Sequence, residues 1–209
     1  DYLLVHASKK NALVNELKKR ILQFFGEDAS ASDNYGKMIN EKQFDRVVGY
    51  FSGGKILYGG KSNKDSLYIE PTLMEIVNMD APVMKDEIFG PVLPVISFET
   101  MAEAKAIIAR NPNPLAFYVF TSSHEREEQW LNDVPAGGAC VNNCSWHLTN
   151  PRLPFGGRGS SGTGAYHGKN SFDTFTHRKA VMKTPTWFDP ALKYPPFKGK
   201  LGIFKWVIR

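Results

Sequence analysis

The sequence predicts an α/β fold, with a largely parallel open sheet and helices on both of its faces. Short apolar runs of strand length alternate with longer segments in which apolar residues recur at helical spacing. Strands separated by helices are typical of parallel pairing, because a parallel connection needs a crossover that a helix usually provides. The chain has 209 residues, 42% of them hydrophobic, which is enough to bury a substantial core.

Apolar spacing and helix-boundary residues predict the first strand and the first two helices. The strand covers residues 2–6, and the helix after it ends at Gly26, since glycine is common just past a helix end. The second helix begins at Asn40, with Gln43 three residues later as in a capping box. The apolar residues that these helices are expected to bury are Leu13, Val14, Leu17, Ile21, Leu22 and Phe25 in the first, and Phe44, Val47, Val48 and Phe51 in the second.

The remaining elements continue this alternation. Further strands are predicted at residues 55–58, 66–69, 92–98 and 116–120. Two more helices are predicted from capping pairs, Thr100 with Glu103 and Ser122 with Glu125. No internal repeat or low-complexity tract interrupts the pattern, so a repeat architecture is excluded.

Charge and cysteine content narrow the class of protein. The formal net charge of +5 is spread over many segments, without the stripe of basic and aromatic residues that nucleic-acid binding favours. Cys140 and Cys144, the two cysteines, have neither a redox spacing nor a second pair to complete a zinc site. Cys140 is expected to be a buried strand residue and Cys144 to start a loop. So few cysteines favour a reducing compartment, and a cytoplasmic protein is expected.

A carboxylate and an aromatic ring stand together in Asp86-Glu87-Ile88-Phe89-Gly90-Pro91, just before a predicted strand. Glu87 has two acceptor oxygens, enough for the two hydroxyls of a ribose, and Phe89 offers a face for a flat heteroaromatic ring. Two structural alternatives remain open. Glu87 would then pair with Lys85 or cap a turn, and Phe89 would belong to the core.

A second segment, residues 153–168, is rich in glycine. Glycine lets a main chain approach a planar ligand closely, because no Cβ intervenes. Gly157, Gly159 and Gly162 match the spacing of a dinucleotide-binding loop, but that loop needs a preceding strand. Pro151 and Pro154 argue against a strand there, so the match is interpreted as accidental.

Three segments resemble, in order and spacing, the C-terminal part of the aldehyde dehydrogenases, closest to the class 3 or fatty aldehyde branch. The segments are residues 86–94, 114–120 and 153–177. The resemblance implies the fold of the family's catalytic domain without the N-terminal cofactor domain. It divides the chain into a catalytic-domain portion at 1–176, an oligomerisation strand at 177–185 and a C-terminal tail at 186–209.

The resemblance implies oxidation of long-chain aliphatic or aromatic aldehydes to carboxylic acids with NAD or NADP as cofactor. In the family a thiol attacks the aldehyde, a hydride passes to the cofactor, and a water activated by a glutamate hydrolyses the thioester. The cysteine and glutamate would lie upstream of Asp1, so no catalytic residue is expected within this chain. The sequence is therefore interpreted as part of a longer protein and is expected to be inactive alone.

The resemblance also assigns binding residues one by one. Glu87 would bind the nicotinamide-ribose hydroxyls, Phe89 would pack on that ribose and ring, and Phe155 would line the aldehyde tunnel near the nicotinamide. The outer substrate funnel would be lined by Leu148, Thr149 and His167, with Trp146 and His147 as further candidates. Ordinary packing for Leu148 and a hydrogen-bonded loop position for His167 stay open as alternatives.

The C-terminal segments bear on assembly. Residues 177–185 take the place of a strand that reaches a partner subunit in the family, so a homodimer is expected. The aromatic and basic tail is too short to cross a bilayer, which needs about 20 apolar residues. It is expected to dock on the protein's own surface, and an interfacial contact with a membrane stays open as an alternative. Two functional interpretations remain open. The chain is either the C-terminal part of an aldehyde dehydrogenase or a non-catalytic truncated module that acts only in assembly.

Overall fold

The computed structural model describes residues 1–208. Its strands are β1 (Leu3–His6), β2 (Lys55–Tyr58), β3 (Ser62–Asn63), β4 (Tyr68–Ile69), β5 (Thr72–Glu75), β6 (Val92–Phe98), β7 (Ala116–Val119) and β8 (Gly138–Val141). Its α-helices are α1 (Ala7–Phe25), α2 (Glu41–Gly49), α3 (Met101–Ala109), α4 (His124–Asp133), α5 (Trp146–Thr149), α6 (Gly168–Phe175) and α7 (Leu201–Val207).

The main sheet has four strands in the order β1-β6-β5-β2. Strand β6 pairs in parallel with β1 and with β5, whereas β2 runs antiparallel to β5. Strands β7 and β8 form a separate parallel pair, and β3 and β4 form a short antiparallel one. The predicted α/β fold with a largely parallel sheet is confirmed, although the strands are divided among several sheets instead of one.

Side chains begin the helices largely where the sequence predicts. Asn40 accepts a hydrogen bond from the backbone N–H of Gln43 at 2.9 Å, and Thr100 accepts one from that of Glu103 at 3.2 Å. Helix α1 ends at Gly26, which has a positive φ of 77°. The predicted start of α4 at Ser122 is wrong by one residue, because Ser123 is the side chain that caps the helix.

The core lies between α2 and the main sheet. Phe44 and Val47 of α2 are buried as predicted, whereas Val48 and Phe51 are only partly buried at the edge of the same cluster. The core cluster also takes in the buried side chains Tyr50, Ile69, Met74, Ile76, Ala81, Val83, Ile88, Val92 and Ile96. Ile88 thereby ties the segment before β6 to the core, and this segment carries the predicted cofactor residues.

The C-terminal part contains less regular structure. Residues 177–185 have no helix or strand and are exposed. A strand that completes a partner's sheet forms only when the partner is present, so the oligomerisation strand stays a prediction. Helix α7 in the tail has seven residues. Among residues 1–208, no helix has both the length and the apolar character needed to cross a membrane.

Candidate cofactor and substrate site

Glu87 and Phe89 both project into solvent on either side of a buried residue. Ile88 between them is 2% exposed, while Phe89 is 80% exposed and has a φ of 45°, which is unusual for a residue other than glycine. Core burial of Phe89, one of the alternatives, is therefore wrong. Within residues 1–208, no ion pair or side-chain hydrogen bond engages the Glu87 carboxylate, so pairing with Lys85 is also absent.

Arg46 of α2 holds the backbone of this segment through hydrogen bonds. Its guanidinium donates to the carbonyl oxygens of Glu87 at 3.1 Å and Ile88 at 2.8 Å. The same group donates to the Gln43 amide oxygen and the Tyr50 hydroxyl. The planar guanidinium can serve these acceptors together because its five N–H donors have fixed directions. The exposed side chains of Glu87 and Phe89 thus stand on an anchored backbone.

A cleft of about 710 Å³ opens beside Glu87 and Phe89. Its lining residues come from the segment before α2, from α2 itself, from β4 and from the segment before β6: Tyr35, Gly36, Lys37, Met38, Ile39, Asn40, Gln43, Ile69, Glu87, Phe89, Gly90 and Pro91. The Tyr35 hydroxyl donates to the carbonyl oxygen of Ile69 at 2.6 Å. Burial raises the pKa of Tyr35, so this hydroxyl remains a donor at neutral pH. A carboxylate and an exposed ring beside such a cleft suit a ligand with hydroxyls and a flat ring.

Phe155 belongs to a second cluster of rings. Its backbone exchanges two hydrogen bonds of 3.0 Å with that of Tyr166, and its ring lies 5.7 Å from the His147 ring and 6.2 Å from the His167 ring. His167 donates from Nδ1 to the carbonyl oxygen of Leu153 at 3.1 Å, since a carbonyl only accepts. His167 is therefore a hydrogen-bonded loop residue, and its ring is stacked on the ring of Phe155.

The glycines next to Phe155 are required by close backbone packing. A Cβ on Gly156 would lie 2.1 Å from the carbonyl oxygen of Gly164, and one on Gly157 would lie 2.1 Å from that of Ser161. No strand lies within residues 142–156, where Phe155 forms only an isolated bridge with Tyr166, and a short 3₁₀ turn, Gly159–Ser161, lies inside the matching segment. The local structure is not that of a phosphate-binding loop, as the two prolines indicated.

The loop before Phe155 contains the short helix α5. Leu148 is exposed, and the Thr149 hydroxyl donates to the carbonyl oxygen of Trp146 at 2.9 Å. Trp146 is 70% exposed, but His147 is only 7% exposed. The expectation that His147 faces an open funnel is therefore wrong, because the ring turns inward against β8. Cys140 lies in β8 as predicted and is half-buried, and Cys144 is exposed in the loop.

The predicted site residues fall into two groups. Glu87 and Phe89 share the cleft beside α2, whereas Phe155, His167 and α5 surround the ring cluster. No hydrogen bond, ion pair or ring contact within residues 1–208 joins the two groups. Sequence reasoning missed Arg46, since its acceptors lie 41 and 42 residues further along the chain.

One group of side chains has the spacing of a metal site. The ligand atoms of His124, Glu127 and Glu128, in the first turns of α4, lie within 4.8 Å of one another. These groups are largely exposed, and carboxylates are favourable at a helix N-terminus without any ion. We assign no metal to them.

Comparison with known proteins defines the class. A family model described as the aldehyde dehydrogenase family matches residues 1–181. This chain therefore belongs to the aldehyde dehydrogenase family. It is 38% identical over 213 residues to aldehyde dehydrogenase family 3 member H1 of Arabidopsis thaliana, covering 100% of this chain and 44% of that protein. The predicted relation to class 3 is thereby confirmed.

Two further relatives and one solved structure are similar over almost the whole chain. The 4,4'-diaponeurosporen-aldehyde dehydrogenase of Staphylococcus aureus is 41% identical over 207 residues, covering 98% of this chain and 45% of that protein. The dimeric NADP-preferring aldehyde dehydrogenase of Rattus norvegicus is 41% identical over 203 residues, covering 96% and 45%. The structure described as the substrate-bound state of Staphylococcus aureus AldH has a TM-score of 0.89 and 40% identity, covering 100% of this chain and 46% of that one. The chain thus spans less than half the length of these relatives.

Proposed function

We propose that this chain supplies one wall of the active site of an NAD- or NADP-dependent aldehyde dehydrogenase that oxidises long-chain aliphatic or aromatic aldehydes to carboxylic acids. The observation that carries the proposal is the exposed pair of Glu87 and Phe89 on a backbone anchored by Arg46. Both side chains line the cleft, and neither the Glu87 carboxylate nor the Phe89 ring is used to hold the fold together, so both are free to contact a ligand there. Membership of the family supplies the class of reaction.

Glu87 is proposed to accept hydrogen bonds from the two hydroxyls of the nicotinamide ribose. The chemistry fits, because a carboxylate accepts two hydrogen bonds and a ribose edge offers two donors. Phe89 is proposed to lie against the ribose and nicotinamide ring, which its exposure permits. The cofactor, when bound, would accept the hydride. The role of this chain is to orient the nicotinamide relative to the aldehyde.

Phe155 is proposed to line the aldehyde tunnel, with Leu148, Thr149 and His167 on the outer funnel. The exposure of Leu148 and the ring cluster around Phe155 support an apolar wall suited to an aliphatic or aromatic chain. His167 is already hydrogen-bonded through Nδ1 to Leu153, so we assign it a contact role and no proton transfer. Which aldehyde fits depends on residues outside this chain.

The isolated chain is proposed to be inactive as a dehydrogenase. Hydride transfer requires prior addition of a thiolate to the carbonyl. Cys140 is half-buried with its Sγ 3.3 Å from Nδ1 of His147, and Cys144 lies in an exposed loop. Neither lies on the cleft that holds Glu87. The chain by itself would then act only in assembly, and we propose a cytoplasmic homodimer for the whole protein.

The decisive experiment compares a longer protein that contains this chain with residues 1–209 alone. Aldehyde-dependent reduction of NAD and of NADP is measured for a series of aliphatic and aromatic aldehydes. We expect turnover by the longer protein and none by the 209-residue chain. Absence of turnover by the longer protein with every aldehyde and both cofactors would contradict the proposed function. Turnover by the short chain, lost in Cys144→Ser, would contradict its proposed inactivity.

A further inference from the structure

The ring of Phe155 packs against His147, a buried histidine to which we have assigned no binding role. Three rings surround Phe155: His147 at 5.7 Å, Tyr166 at 5.8 Å and His167 at 6.2 Å between centroids. Tyr166 and His167 belong to the same loop region as the glycines and are partly accessible to solvent. His147 is the buried member of the three. It therefore forms the inner side of the wall on which Phe155 lies.

Two strands fix the His147 ring in place. Its Nδ1 lies 3.3 Å from Sγ of Cys140, and its edge packs against the ring of Tyr118 at 5.9 Å. A Cβ on Gly138 would lie 2.6 Å from Cδ2 of His147, so the imidazole rests directly on the β8 backbone. Gly138 and Cys140 are two residues apart on one strand and thus present the same face. The support for Phe155 comes from strands rather than from a loop.

We propose that His147 is a positioning residue for the aldehyde site, which sets the position of the Phe155 ring and so the size of aldehyde that the tunnel accepts. The inference rests on the proposed function, in which Phe155 lines the tunnel. Aromatic neighbours impose preferred ring orientations on one another, because their edges and faces carry opposite partial charges. A branched aliphatic side chain at position 147 would leave the inner face of Phe155 without a planar contact.

The shape of the ring matters here more than its hydrogen bonds. Nε2 of His147 is buried and has no hydrogen-bond partner in the described part of the chain. Such an atom is unfavourable and is tolerated when another property of the residue is needed. Sulfur is a weak partner for Nδ1, so the contact with Cys140 orients the imidazole more than it stabilises it. A phenyl ring at this position therefore retains the feature that positions Phe155.

The kinetic test uses a longer protein containing this chain, with a small aliphatic and a bulky aromatic aldehyde. We expect His147→Leu to change KM for the aromatic aldehyde about tenfold, the scale on which a hydrophobic pocket distinguishes a methylene group. We expect kcat, and KM for the small aldehyde, to remain near the wild-type values. His147→Phe should restore the wild-type KM. Phe117→Leu, which removes a ring that packs on Trp130 instead, should leave the KM ratio unchanged.

A crystal structure of the same longer protein with His147→Leu gives a readout that needs no activity. We expect the Phe155 ring to be displaced or rotated relative to the wild type, and to return in His147→Phe. An unchanged Phe155 ring, or an equal change of KM for both aldehydes, would overturn the positioning role. If the wild type oxidises no aldehyde, the proposed function fails, and the position of the Phe155 ring still decides whether His147 positions it.

Discussion

The guanidinium of Arg46 donates hydrogen bonds to the backbone carbonyls of both Glu87 and Ile88, at 3.1 and 2.8 Å. One side chain of α2 thus fixes two successive peptide groups of the segment that carries the proposed cofactor residues. The Ile88 side chain is buried in the core, which anchors the same segment a second time. Because backbone and core hold the segment, the Glu87 carboxylate and the Phe89 ring remain available for a ligand.

Replacing Glu87 with Gln in a longer protein that contains this chain should slow hydride transfer. The change exchanges an anionic acceptor for an amide, and hydrogen bonds to charged groups are worth about 1.5–3 kcal/mol, so a loss of about tenfold or more is expected. The measurement is the single-turnover rate of NADH formation. Glu99→Gln is the matched control, since Glu99 is exposed and lies beyond the other end of β6. A wild-type rate for Glu87→Gln would contradict the proposed role of Glu87 in binding the nicotinamide ribose.

Replacing Arg46 with Met should loosen the segment that Arg46 holds. Two backbone carbonyls would lose their charged donor, and a hydrogen bond to a charged group contributes about 1.5–3 kcal/mol. We expect a lower free energy of unfolding in urea and faster amide hydrogen exchange at residues 86–91. Arg20→Met provides the control, because Arg20 bonds only the exposed side chain of Gln23 three residues away. Equal effects of the two substitutions would show that the contacts to Glu87 and Ile88 add nothing.

The glycine-rich loop should not tolerate a Cβ at positions where two of its backbone segments are in contact. Gly157→Ala would place a methyl group 2.1 Å from the Ser161 carbonyl oxygen, and overpacking of this kind costs about 1–3 kcal/mol. Gly36→Ala is the control, because a Cβ there meets no atom within 4 Å. That change should be neutral or should stabilise the protein by about 0.4–1 kcal/mol through the unfolded state. Thermal unfolding of the two variants measures the difference, and similar melting temperatures would contradict the packing argument.

Local signals in the sequence predicted most helices and strands. They could not predict contacts between residues that lie far apart in the sequence. Asn40 and Thr100 begin helices as expected, because a cap is a contact between residues three positions apart. Strand β5 went unpredicted although it is central to the sheet: it is only four residues long, follows Pro71, and is buried throughout most of its length, so it shows no alternation.

The candidate site also combines residues that local sequence predicts with residues that only long-range contacts reveal. Its exposed residues, Glu87 and Phe89, are recognisable from the motif that contains them. The residues behind them are not, because Arg46 and His147 act through contacts that only the folded chain creates. A histidine beside an exposed tryptophan in a loop gives no local sign that it points inward. Burial of that kind depends on the glycine at position 138, in the neighbouring strand.

Residues 177–185 are the proposed contact between two copies of the protein. Residues 177–185 are exposed, and Val181 near their centre is 64% exposed. If this segment pairs as a strand with a second copy, the 209-residue chain should form a two-fold dimer by reciprocal strand addition. Val181→Pro removes a backbone donor and fixes φ, so pairing should fail while the core between α2 and the main sheet stays intact.

Val181→Ala keeps the backbone N–H and should still dimerise. Light scattering at several concentrations compares the three proteins, and only Val181→Pro is expected to remain monomeric. A monomeric wild type, or equal dimerisation of the proline variant, would place the interface elsewhere.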